Sequence, residues 1–169
     1  MVAREFKKFI IEGPDGCGKT TLCEKVLKNN KNDMILHHSE QKPLSKKMFE
    51  SQVEYEFSLL ANNKNIIMDR SFIISEFIYS RALNRVTYCY DKHIHNLCNI
   101  ISKYNVDLIF CLAEKPILKD EDFSLPINVI IEEYKNLIAY LKLKNIKLEV
   151  IKLEKNIIKR AKNENIKSN

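Results

Sequence analysis

Short apolar runs alternate with stretches of helical spacing along this chain, and the alternation by itself predicts an architecture. Lys8–Glu12 (KFIIE) is a short apolar run, the pattern of a buried strand. From Lys19 to Asn30, apolar Leu22, Val26 and Leu27 recur at helical spacing, with Asn29 and Asn30 at the end. Met34–His38 reads as a second strand, and Leu44–Leu60 as a helix carrying Leu44, Met48, Val53, Phe57 and Leu60. Asn65–Asp69 (NIIMD) is a third strand, followed by two helical stretches near Phe72–Leu83 and Tyr88–Tyr104. Val106–Ala113 is a fourth strand. Pro126–Lys144 is the cleanest helix, with Ile127, Ile130, Ile131, Tyr134, Leu137, Ile138 and Leu141 on one face and Pro126 suited to the first turn. Ile146–Leu153 reads as a fifth strand, and the tail from Lys155 as a basic helix or disordered chain.

Strands alternating with helices imply an α/β domain, a five-stranded parallel sheet with helices on both faces. With 169 residues the chain fits a single domain, 1–169. Ligands in such sheets bind beyond the carboxyl ends of the strands. Chemistry is therefore expected after Glu12, His38, Met68 and Ala113.

The first of these places carries Gly13-Pro14-Asp15-Gly16-Cys17-Gly18-Lys19-Thr20, a match to G-x-x-x-x-G-K-[ST]. Backbone N–H groups of such a loop point at phosphate oxygens, and the following helix presents its positive end. Average residue usage gives this pattern by chance in roughly one chain in 200 of this length. All three glycines of the chain lie in it. An ordinary turn does not explain that concentration. The expected fold is thus a P-loop NTPase. Gly13, Gly16, Cys17, Gly18, Lys19, Thr20 and Thr21 would bind ATP, Lys19 reaching the β- and γ-phosphates and Thr20 holding Mg²⁺. Glu12 is read either as a strand-end carboxylate pairing a lysine or as a holder of Mg²⁺-bound water. Cys17 is read as a small filler, with a reactive thiol as the alternative.

Asp69 closes the third strand, where an acid beside a phosphate loop can help hold Mg²⁺. Arg70, Arg81 and Arg85 are three of only five arginines in the chain. Arginine presents a planar fork to phosphate oxygens, so the cluster suggests a phosphate site, against the plainer reading of a surface ion pair and solvated helix arginines.

The loop EGPDGCGKTT together with DRSFIISEFIYS resembles the thymidylate kinase family, especially its shorter phage-type and viral deoxynucleoside monophosphate kinase relatives. The likeness spans most of the chain in element order, with its motifs confined to Glu12–Thr21 and Asp69–Tyr79. It implies ATP-dependent phosphoryl transfer to a (deoxy)nucleoside monophosphate, with Asp15 near the acceptor's sugar or phosphate, Arg70 on its phosphate and Asp69 serving the metal. It also implies a homodimer. Three departures stand out. HHSEQKP replaces the family's T-R-E-P-G stretch, DRSFIIS carries one extra residue before its serine, and Glu114–Leu125 lacks the expected lid arginine. Lys115, Lys119, Arg81 or Arg85 would have to replace that arginine. Glu114–Leu125 is expected to close as a lid and Leu44–Leu60 to form the acceptor-side flap, excluding water. Phe49 and Phe72, with Phe57, are candidates to stack on the acceptor base.

Charge and composition alter this picture little. The net charge of +6 favours anionic partners, but the lysines are interspersed with glutamates as on a solvated surface, and nucleic acid is not expected as a partner. Five scattered cysteines suggest a reducing cytosol rather than a disulfide scaffold. No apolar run has the length of a membrane span, so a soluble cytoplasmic protein is expected. Cys89, His93, His95 and Cys98 look like a metal set, yet on a helix they would fall on opposing faces. His37 and His38 point to opposite sides of a strand.

Three other functions fit the same loop, one of them a degenerate, inactive kinase kept as a binding protein, since Glu114–Leu125 lacks the expected arginine. A deoxynucleoside kinase phosphorylates a 5′-hydroxyl, which needs a base, and Glu40 lies where such kinases keep theirs. A P-loop module could also bind nucleotide as a switch without phosphorylating a small molecule.

Overall fold

The computed structural model describes residues 7–30, 34–39, 43–113 and 126–152. The chain forms β1 (Lys8–Glu12), α1 (Lys19–Asn29), β2 (Ile35–His38), α2 (Lys46–Asn62), β3 (Ile66–Asp69), α3 (Phe72–Ala82), α4 (Asp91–Tyr104), β4 (Val106–Leu112), α5 (Ile127–Leu143) and β5 (Leu148–Lys152). The strands make one wholly parallel sheet in the order β2-β3-β1-β4-β5. The predicted lid, Glu40 and the basic tail lie outside the described residues.

Local chemistry explains where the elements depart from the predicted bounds. Leu44, expected on an apolar helix face, precedes α2 and is 84% exposed. The helix starts after Ser45, whose hydroxyl accepts the Met48 N–H at 3.2 Å. The helix expected from Tyr88 begins only at Asp91, because the Thr87 hydroxyl takes the Cys89 N–H at 2.9 Å and His93 Nδ1 takes the Tyr90 N–H at 2.9 Å. Pro126 sits one position before the first helical residue of α5 rather than inside its first turn. The last strand starts at Leu148 because Asn145 turns left-handed (φ 57°) and the Ile146 N–H bonds Leu141 O at 3.0 Å, closing α5.

Alternation along the strands divides the core in two. Ile10, Ile66, Met68, Leu108 and Phe110 face the layer of α2, α3, α4 and α5. Ile11, Ile67, Ile109 and Cys111 face α1, packing with Cys17, Cys23, Leu22 and Val26. Helix α3 has no clean polar side: Phe72, Ile73, Ile74, Phe77 and Ile78 are buried along with Glu76 and Ser80. That is the pattern of a helix enclosed by others.

The site follows from this topology. Beyond β1 the chain enters α1 on one face; beyond β3 it enters α3 on the other. The adjacent carboxyl ends of β1 and β3 therefore diverge and open a crevice between them. Register places Ile11 beside Asp69, and His38 beside Asp69 from the other side.

Candidate active site

The phosphate loop packs so closely on β4 that its first residue has no room for a side chain. A Cβ on Gly13 (φ +148°) would lie 2.1 Å from the Cys111 carbonyl oxygen. Gly16 and Gly18 hold φ of 71° and 74°, and Gly18 caps α1. Cys17 is fully buried against Ile11, Cys23 and Cys111, and burial pushes its thiol pKa up. The small-filler reading holds and the reactive-thiol alternative is corrected, since a thiol shut away from solvent is neither ionised nor reachable.

Lys19, only 7% exposed, curls over the loop and donates to the Pro14 carbonyl at 2.7 Å. Burial, aided by nearby Arg70, lowers its pKa, while Asp15, Glu12 and Asp69 oppose the shift. An ammonium held largely out of water, with one loop carbonyl as its acceptor, has donors left that could take an anion.

The parity of each strand sends its terminal acid to a different face. Asp69, in phase with Ile67, points toward α1, where its Oδ2 accepts the Thr20 hydroxyl at 3.1 Å and lies 3.1 Å from His38 Nδ1. A hydroxyl and a carboxylate side by side suit a hard cation such as Mg²⁺, which takes few protein oxygens and fills the rest of its shell with water and phosphate. His37, out of phase, packs edge-on against Tyr55 of α2. The histidines face opposite sides, as predicted.

Glu12, in phase with Ile10, points into the α3–α5 layer and is fully buried. Its carboxylate accepts the Ser71 N–H at 2.5 Å, the Gly13 N–H at 3.2 Å, the Ser75 hydroxyl at 3.4 Å and the Tyr134 hydroxyl at 3.0 Å. Burial raises its pKa, against the pull of Arg70, the Ser71 N–H, Lys19 and Tyr134. Neither sequence reading of Glu12 describes this. It is a buried tie between the phosphate loop, α3 and α5.

Arg70 occupies the crevice. It forms an ion pair with Asp15, donates to the Gly13 carbonyl at 3.3 Å, and lies over the Tyr79 ring, whose hydroxyl donates to the other Asp15 oxygen at 2.8 Å. Burial works against its charge, yet Tyr134, Tyr79, Glu12 and Asp15 hold its pKa above the ordinary value. Its backbone is left-handed (φ 77°), unusual for arginine.

The other predicted residues lie apart from this cluster. Arg81 pairs with Asp91 at 3.0 Å and lines a cavity of about 220 Å³ with Ile94, Leu137 and Tyr140, between α3, α4 and α5. Arg85 pairs with buried Glu76 at 2.6 Å. Phe49 and Phe72 are core side chains, 1% and 6% exposed, packed on each other at 5.4 Å with their rings tilted by 45°, so their burial leaves neither ring open to a base. Phe57 packs on the edge of the same core. Cys89 precedes α4 and sends its thiol to the Ile73 carbonyl, and among the described residues no group of three or more His, Cys, Asp or Glu could hold a metal.

Sequence reasoning missed Glu56. It is 2% exposed and takes the Ser71 hydroxyl at 2.5 Å and the Phe72 N–H at 2.8 Å. The signal was present: Phe49, Val53, Glu56 and Leu60 fall on one helical stripe, an acid among apolar residues. Tyr79, partner of Asp15, was read only as part of a motif.

No protein-family model and no curated protein matches the chain. Its strand order and phosphate loop are those of a parallel α/β P-loop fold, which it shares with solved structures. Among solved structures it is similar to the YorR protein of Bacillus subtilis in complex with phosphorylated GDP (TM-score 0.60, 23% identity, over 89% of this chain and 86% of that one). It is also similar to deoxyadenosine kinase of M. mycoides, with bound dCTP (TM-score 0.53, 17% identity, 96% and 100% covered) and with bound dATP (TM-score 0.50, 15% identity, 95% and 100% covered). No helix among the described residues is long and apolar enough to cross a membrane.

Proposed function

We propose that this chain transfers the terminal phosphoryl group of ATP to a nucleoside monophosphate, in the manner of the thymidylate kinases its motifs resemble. The observation that carries the reading is the Arg70–Asp15 pair standing over the mouth of the phosphate loop, beside Lys19 and next to the Thr20–Asp69 pair. Two polyanions must meet for this reaction, and a cation already anchored to the loop supports a second phosphate site there.

Each residue takes a stated part. Gly13 to Thr21, including Gly16, Cys17 and Gly18, wrap the donor phosphates. Lys19 holds the β- and γ-oxygens, and Arg70 receives the acceptor phosphate, which displaces Asp15 from its fork. Asp15 and Tyr79 then face the acceptor. Mg²⁺, when held by Thr20 and Asp69, supplies charge neutralisation on the donor phosphates. An acceptor phosphate oxygen attacks the γ-phosphorus, the bond to the bridging oxygen breaks, and ADP leaves with that electron pair. The acceptor phosphate is already ionised, so no strong base is required. Helix α2 would form the acceptor-side flap. Arg81 and Arg85, held by Asp91 and Glu76, would reach the site only if those pairs opened.

A second reading is a deoxynucleoside kinase with a 5′-hydroxyl acceptor and Glu40 as base, favoured by the likeness to a deoxyadenosine kinase over nearly the whole chain. One experiment tests both. Purified protein with ATP and Mg²⁺ is given nucleosides and nucleoside monophosphates side by side, with ADP and phosphorylated product followed together. Product from a monophosphate supports the first reading. Product from nucleosides alone replaces it with the second, and hydrolysis without transfer defeats both.

A further inference from the structure

Arg70 is held in a backbone conformation that arginine rarely adopts, and the contacts that hold it come from either side. Its own N–H bonds the Ile11 carbonyl of β1 at 3.0 Å. The next two residues open α3, where backbone N–H groups have no partner within the helix. Two buried carboxylates meet them. Glu12 takes the Ser71 N–H and Glu56 takes the Phe72 N–H. The Ser71 hydroxyl joins the acids, donating to Glu56 at 2.5 Å while accepting the Ile74 N–H at 3.3 Å as the helix cap.

We infer that Glu56 is a positioning residue: by gripping the Ser71 hydroxyl and the Phe72 N–H from α2, it fixes the start of α3 and with it the aim of Arg70 at the mouth of the phosphate loop. Two features separate this from plain core packing. An acid is an expensive way to fill the interior, since a buried carboxylate stands only where donors compensate it. Its donors are moreover the two residues following Arg70, not a distant part of the core. The grip also comes from the predicted acceptor-side flap. Movement of α2 on binding acceptor would therefore be felt at Arg70, whereas Lys19 and Thr20 ride on α1 at the opposite face.

The kinetic arm of the test rests on the kinase reading; the exchange arm does not. Glu56→Met keeps the length and fills the space but accepts no hydrogen bond. Glu56→Gln can still accept the Phe72 N–H through its oxygen and donate to the Ser71 hydroxyl. We expect Glu56→Met to raise KM for the best monophosphate acceptor about tenfold, to leave KM for ATP within about twofold, and to speed amide exchange at residues 70–72 about tenfold without speeding it in α1. Glu56→Gln should restore all three to near the parent values. Should Glu56→Met not fold, Ser71→Ala removes the hydroxyl bridge to Glu56 together with the cap on the Ile74 N–H, leaves the Phe72 N–H to Glu56, and should move acceptor KM and exchange at residues 70–72 the same way, less far. Parent-like exchange at residues 70–72 overturns the inference, as does a parallel loss of ATP and acceptor affinity. If the parent phosphorylates nothing, the kinase reading fails, and the exchange arm alone decides for or against Glu56.

Discussion

At the scale of single residues, the position of Arg70 sets two demands against each other. The proposed function calls for a guanidinium fork there, while the left-handed backbone suits glycine. Arg70→Ala and Arg70→Gly should both lose acceptor binding, raising acceptor KM at least about tenfold with little change for ATP. Denaturant unfolding should find Arg70→Gly more stable than Arg70→Ala by about 1 kcal/mol, since both lose the same contacts and only alanine keeps the strain. Equal stabilities would show that the φ of 77° is not held in solution. Glu56 supplies a pH prediction. Burial raises its pKa from 4.5 to about 7, against the pull of the Ser71 and Phe72 donors. Between those values the folded chain keeps a proton that the unfolded chain has released, so stability falls as pH rises from 4.5 to about 7 and levels off above. Glu56→Gln cannot titrate, and its stability–pH curve over that window should slope less steeply than the parent's. A slope unchanged by the substitution would mean that Glu56 is ionised throughout.

At the scale of elements, Arg85 illustrates what a sequence reveals of order without revealing aim. Its nearness to Arg70 along the chain suggested a shared phosphate site. In the fold it closes the turn after α3, pairing with Glu76 at 2.6 Å while Thr87 donates to the same carboxylate at 3.0 Å. Removing it strands a carboxylate that is 4% exposed. Arg85→Ala should therefore lower stability by about 2–3 kcal/mol in urea unfolding, with kinetic constants near the parent's in whatever protein remains folded. A stable variant with collapsed turnover would return Arg85 to the chemistry. The sheet and its helices were legible because the central strands β1 and β3 are short, mostly apolar runs and α5 keeps its helical period, with turn residues between them. The loop and Asp69 were legible because their chemistry is local, a spacing of glycines and an acid at a strand end. What stayed hidden was contact between elements. The tie from Glu12 to Tyr134 spans 122 positions, and no periodicity announces it. Only the parity of β1, read together with the need of a buried tyrosine hydroxyl for a partner, could have suggested it. Phe49 and Phe72 misled for the same reason: an aromatic side chain looks the same in a sequence whether it faces a ligand or another ring.

At the scale of the whole molecule, the proposed site is a set of charges held together with no ligand, and the fold bears their desolvation. Lys19 is the clearest case, for burial lowers its pKa and its nearest hydrogen-bond acceptor is only a loop carbonyl. A lysine whose folded pKa lies below its unfolded one weakens the fold wherever it is charged. Lys19→Ala should thus leave the nucleotide-free protein at least as stable as the parent. Ligand should reverse that order. ATP with Mg²⁺ at about 100 times its Kd adds roughly 2.7 kcal/mol to a protein that binds it only when folded, which a thermal scan reads as a rise of several degrees. The parent should show that rise and Lys19→Ala should lose most of it, so the two melting curves cross over between the free and the liganded state. The crossing is the informative result, because a substitution that merely damaged the loop would lower both curves together. If the parent gains nothing from any nucleoside triphosphate with magnesium, the cradle of Gly13 to Thr20 is not a phosphate site, and the functions built on it fall with it.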